Sequence, residues 1–192
     1  MPVARDCPTI RGMDISPIVP GRACRSCTMC CWVLGIKEIA KPERTPCPNC
    51  AAGAGCGVYA ERPLVCREFH CGYLVLPFVD ARWFPDECGM MIFPASAEKR
   101  LAIHVDPERP DAWQVPPFHA DLRQWAVAAE QMDFQVFVAI GRRVIAILPH
   151  EDVDLGLFED DDRLVYDRHM VDGRPVLRAR KVNAGSPGAP QP

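Results

Sequence analysis

The stretch CRSCTMCC, residues 24–31, places four cysteines in eight positions. Thiolate sulfur is the soft ligand for zinc, iron and copper(I). Two Cys-x-x-Cys pairs stand out, Cys24/Cys27 and Cys47/Cys50, separated by nineteen residues (28–46). A tight turn aims both sulfurs of such a pair at one point, and two pairs at this spacing are a zinc-site pattern. Read alone, they hold one tetrahedral ion on four thiolates. Cys24-x2-Cys27-x2-Cys30 also has the spacing that opens a bacterial ferredoxin run, without the fourth Cys followed by Pro. Cys30, Cys31, Cys56, Cys66 and Cys71 bring the group to nine sulfurs, enough for two four-sulfur sites with one left over. In an extended stretch the adjacent Cys30 and Cys31 point apart, which suits two sites or one spare thiol.

The rest of the composition favours ligation over disulfides. The N-terminus, MPVARDCPTIRGMDISPIVPG, has no apolar core of the kind a secretory signal carries. The expected compartment is therefore the cytoplasm, where thiols stay reduced and clustered cysteines are read as metal or redox groups. The total of eleven cysteines is odd, so full pairing is impossible, and only Cys7 and Cys88 lie outside the cluster. A net charge of -3 gives no general attraction to nucleic acid. No apolar run approaches the roughly 18 residues a membrane helix needs. There is no phosphate-cradling glycine loop and no G-x-S-x-G. A catalytic thiol would need a base and an electropositive pocket, and the crowding of cysteines argues for ligation instead.

CRSCTMCC, followed by GCGVYAERPLVCREFHCGYL (residues 55–74), resembles the CxxCxxCC family, also called YkgJ-like, whose members are described as zinc- or iron-chelating proteins of bacteria. The family pattern is a C-x2-C-x2-C-C opening and a later G-C-x-(I/V)-Y-x-x-R-P-x-x-C-R-x-F-x-C. Here its elements are Cys24, Cys27, Cys30 and Cys31, then Cys56, Tyr59, Arg62, Pro63, Cys66, Arg67, Phe69 and Cys71. The resemblance covers residues 24–75, about a quarter of the chain. It implies a bacterial protein and a ligand set, but no reaction. Four-thiolate sites with divalent ions each carry about two negative charges, which Arg62 and Arg67 are placed to offset by hydrogen bonds near sulfur. Tyr59, Pro63 and Phe69 would pack beside the site, although burial is the common fate of aromatics in any case.

The metal-ligand set expected is thus Cys24, Cys27, Cys30, Cys31, Cys47, Cys50, Cys56, Cys66 and Cys71, with Arg62 and Arg67 around it and zinc or iron, including an iron–sulfur cluster, as cofactor. An all-thiolate set serves zinc and iron alike. His70 lies between Cys66 and Cys71, but sulfurs are already in surplus. His104, His119, His150 and His169 have no paired spacing and are read as structural; Cys88 is read as an ordinary thiol, and Cys7 as one that a flexible arm would let complete a site. Three functions compete: a chelating or structural metal protein, an iron–sulfur enzyme or electron carrier, and a metal storage or delivery factor with exchangeable metal. A protein partner is expected only for a module whose zinc is purely structural.

These groups must be held by a loop-rich module at residues 24–75, too poor in apolar residues to fold without metal. AAGAGCG (51–57) supplies a loop where backbone approaches a site closely. VLGIKEIAKPERT (33–45) is read as a short strand or turn followed by a loop, limited by Pro42. Residues 1–23 read as an irregular arm and 183–192 as a disordered tail. Residues 76–182 read as an α+β part, in which the character changes near residue 90. KRLAIHVD (99–106) alternates like a half-buried strand. Phe118, Leu122, Trp125, Ala129 and Met132 recur at helical spacing within 116–132. FQVFVAIGRRVIAILP (134–149) and RLVYDRHMVDGRPVLRARKV (163–182) read as hairpins turning at Gly141-Arg142 and Asp172-Gly173. The acidic EDVDLGLFEDDDR (151–163) is read as a solvated loop. The fold expected is α+β, a small cysteine-rich metal-bound module joined to a small antiparallel sheet with one packed amphipathic helix.

Overall fold

The computed structural model describes residues 18–183 except residue 52, so Cys7, most of the N-terminal arm and the tail beyond residue 183 lie outside the described residues. The chain is α+β. Its centre is a five-stranded sheet in the order β3-β4-β5-β6-β7, formed by Met90–Ala95, Arg100–Val105, Gln135–Ile140, Arg143–Ile147 and Asp152–Leu157. Pro94 sits in β3, at the sheet edge, where a residue without an N–H costs least.

Two expectations are corrected here. The sheet is mixed, because β4 and β5 pair in parallel from Arg100↔Gln135 to Val105↔Ile140. The helix between them, α5 (Phe118–Glu130), makes the crossover that parallel neighbours need. The strand–helix–strand order at 99–140 carries that signal. The first half of the acidic segment is not a loop but strand β7, paired along β6. Val153 and Leu155 alternate with Asp152 and Asp154, a period of two that the acidic composition obscures. Only the turn before Asp162 fits the solvated reading.

Each face of the sheet is covered. Val136, Val138, Ile145 and Ile147 point to one side, where Leu122, Trp125, Ala126 and Ala129 of α5 join Trp83, Tyr73 and Leu74 in the main core. Met132 falls in the turn after the helix. On the other face Phe137, Val144 and Ala146 meet Leu164, Tyr166 and Ala179 of a long hairpin, β8 (Asp162–Val171) and β9 (Arg174–Asn183). The Tyr166 hydroxyl donates to the Val136 carbonyl at 2.7 Å, fixing the hairpin on the sheet. Asp172 and Gly173 both have left-handed backbone at its tip, the conformation of a type I′ turn.

The cysteine segment has little regular structure: α1 (Met29–Val33), the two-residue strands β1 (Cys50–Ala51) and β2 (Gly55–Cys56), α2 (Leu64–Glu68) and α3 (Gly72–Val75). A 3-10 turn at Lys37–Ile39 and a single bridge between Ile36 and Lys41 occupy the stretch before Pro42. The segment is not detached from the rest. The run Tyr73–Leu76 belongs to the main core and continues past residue 75 to Val79, while Cys24, Cys27 and Cys71 pack against that same core. Arg22 ties down the incoming chain. Its guanidinium donates to the carbonyls of Tyr73 (2.5 Å), Leu76 (3.0 Å) and Val79. Among the described residues no helix is long and apolar enough to cross a membrane.

Candidate metal centre

Short pieces of backbone bring the sulfurs together. The Cys27 amide donates to the Cys24 carbonyl at 3.0 Å, and the Cys50 amide to that of Cys47 at 3.1 Å, so each Cys-x-x-Cys pair is a closed turn. Helix α1 presents Cys30 and Cys31 with their sulfurs 4.0 Å apart. Strands β1 and β2 set Cys50 directly opposite Cys56. Cys66 lies on α2, and Cys71 caps the start of α3. The loop at 51–57 comes close to the backbone of the first Cys-x-x-Cys turn. Gly55 has a φ of +78°, and a β-carbon there would stand 3.0 Å from the Arg25 carbonyl oxygen, inside the first Cys-x-x-Cys turn.

Two adjoining cavities hold the cluster. The smaller, about 30 Å³, is lined by Cys24, Cys27, Cys30 and Cys71 and otherwise by apolar groups such as Tyr73, Phe84 and Met91. The larger, about 170 Å³, is lined by Cys31, Cys47, Cys56 and Cys66 and bounded again by Cys24, Cys27 and Cys30. Exposed apolar side chains, Ile18, Tyr59 and Val65, stand around its mouth. Cys88 is apart from both, buried with its thiol donating to the Met90 carbonyl at 3.4 Å. Burial pushes it up to about 11.

Six thiols of the cluster, those of Cys24, Cys27, Cys31, Cys50, Cys66 and Cys71, are raised above the ordinary thiol range. Burial pushes Cys27 up to about 12, with Cys71, Asp86 and Cys24 adding to it against the Met29 amide. Burial raises Cys71 and Cys24 too; the Tyr59 hydroxyl and the Arg62 guanidinium pull Cys24 back. Cys31 is raised first by its hydrogen bond with Cys30 and then by burial. Cys50 is raised by burial and by Cys31, Cys47 and Cys56, and Cys66 by burial and by Cys31, Cys47 and Cys56.

Positive groups lie close by, not all where the sequence places them. Arg62 donates to the Cys66 carbonyl at 3.1 Å and to the Tyr59 carbonyl at 2.7 Å, with its guanidinium 3.9 Å from the Tyr59 ring centre. It braces the chain between two motif residues. Arg67 is exposed. The cation that sequence reasoning misses is Lys41, only 5% exposed, whose ammonium donates to the carbonyls of Trp32 (3.0 Å), Leu34 and Pro42 (3.0 Å). Burial lowers it, and Cys47, Cys31, Cys30 and Cys66 act the other way. A lysine in a polar loop carries no sequence signal of burial. Phe69 stacks on Phe93 of β3 with ring centres 5.3 Å apart, so it packs the segment to the sheet. His70 lines the larger cavity and turns its Nδ1 to the Glu68 carbonyl at 3.0 Å.

Among the described residues no three Cys, His, Asp or Glu side chains form a group that could hold a metal ion as they stand. The donor chemistry nevertheless fits a soft ion: sulfurs from several segments, in cavities whose walls are otherwise mainly apolar. Compared with protein-family models, curated proteins and solved structures, the chain matches none.

Proposed function

We propose that this chain is a metal-binding protein of the CxxCxxCC type, which takes up zinc or iron, the latter as ion or iron–sulfur cluster, on the cysteines of residues 24–71. The observation that carries this reading is the convergence of eight cysteines from separate turns, helices and strands upon two neighbouring cavities, with Cys50 paired to one of them, Cys56. Nine buried or half-buried thiols have no packing reason to gather, and the buried amine of Lys41 stands near them. Bound metal would draw the sulfurs inward and replace their protons. Arg62 and Lys41 hold the backbone on which Cys66 and Cys31 ride, and their charge offsets that of the thiolates. A reducing cytoplasm is the compartment in which such a set stays open to metal.

The test is elemental analysis of the full chain, purified without oxygen and without an affinity metal. One or more zinc or iron per chain is the expected result. Zinc alone makes this a chelating or structural zinc protein; iron with matching sulfide makes the site a cluster nest. Protein that comes out metal-free, and retains neither ion after anaerobic reconstitution, would refute the reading.

A further inference from the structure

We propose that the nine cysteines form two separate soft-metal sites: an inner one of Cys24, Cys27, Cys30 and Cys71, and an outer one drawn from Cys31, Cys47, Cys50, Cys56 and Cys66. The inference rests on the metal-binding reading and goes beyond it in number, ligands and size.

The inner void of about 30 Å³ has four sulfurs on its walls, and apart from them its lining is nearly all apolar. That volume admits one or two atoms of water size. It suits a single ion held by four thiolates. Cys71 lines this void and not the larger one, whereas Cys31, Cys47, Cys56 and Cys66 line the larger one and not this void. The outer cavity, about 170 Å³, is touched by Cys31, Cys47, Cys56 and Cys66. Cys50 joins them through its pairing with Cys56 and its contact with Cys31.

On helix α1 the adjacent Cys30 and Cys31 do not point apart as an extended stretch would have them: their sulfurs are 4.0 Å apart, with Cys30 lining both cavities and Cys31 only the larger. The doubled cysteine thus stands where the two sites adjoin. The outer set holds five sulfurs where four suffice, so the spare thiol belongs there.

The experiment titrates Cd²⁺ into the reduced, unsubstituted full chain. It follows bound Cd²⁺ per chain and the loss of iodoacetamide labelling at each cysteine by peptide mapping. Expected is saturation at two Cd²⁺ per chain, with Cys24, Cys27, Cys30 and Cys71 losing label as one block and at least four of the outer five as another. Saturation at one Cd²⁺, or Cys71 and Cys47 losing label in the same proportion throughout, overturns the two-site assignment and leaves metal binding standing. No retained Cd²⁺ overturns both.

Discussion

The ammonium of Lys41 is held by three carbonyl oxygens, those of Trp32, Leu34 and Pro42, at a position only 5% exposed. Removing it strands buried acceptors, each worth about 1–3 kcal/mol when left without a partner. Lys41→Met should therefore destabilise the chain by roughly 2–4 kcal/mol in urea denaturation and weaken metal retention against a chelator. Loss of stability with metal retention unchanged would make Lys41 a loop brace alone. The contrast with Arg67 is instructive. Both are basic residues near cysteines in sequence, but Arg67 lies on the outer side of α2 and is exposed. Spacing identifies candidate ligands, because two sulfurs three residues apart share a turn. It does not identify the counter-charge, because a lysine reaches a site through a long side chain from a segment without periodicity. The gathering of the cysteines is legible in this sense, and the helix at Phe118–Glu130 likewise, whereas the burial of Lys41 is not.

At the level of elements, the cysteine segment is fastened to the sheet through α3. A β-carbon on Gly72 would stand 2.5 Å from Ile92 Cγ2 and 2.7 Å from Ile92 Cβ, so only a residue without one lets α3 lie on β3. Gly72→Ala must push the two elements apart. Overpacking of this kind costs about 1–3 kcal/mol, and because Cys71 immediately precedes the helix, its sulfur would move as well. A lower midpoint in chemical denaturation is expected; an unchanged midpoint would show that α3 can leave the sheet freely. Gly72 sits inside the cysteine motif, and nothing in its neighbourhood in sequence points to Ile92, twenty residues on. The parallel pairing of β4 with β5 was legible in principle, since a strand, a helix and a strand in succession call for a crossover. Strand β7 was hidden for a different reason: its aspartates face outward or pair with Arg123, Arg143 and His119, while Val153 and Leu155 keep the inward alternation.

For the whole molecule, the decisive point is that the cysteine segment and the sheet share one core. Tyr73, Leu74 and Val75 pack with Trp83, Ile92 and Ile103, and Cys24, Cys27 and Cys71 lie against them. A sequence view of a self-contained module stapled by metal predicts that stripping metal melts residues 24–75 and leaves the rest intact. The shared core predicts otherwise. Metal that binds the folded chain more tightly than the unfolded one adds stability by mass action, and that gain is spread over whatever unfolds as a unit. Calorimetry of metal-loaded and chelator-treated protein should then show one transition, moved to lower temperature on chelation and still covering the sheet. Two transitions, with the upper one indifferent to chelation, would mean that the contacts of Tyr73–Leu76 do not couple the halves. The single transition would also give the Arg22 bonds to the carbonyls of Tyr73, Leu76 and Val79 a role: those three residues would be the join through which bound metal on one side stabilised strands on the other.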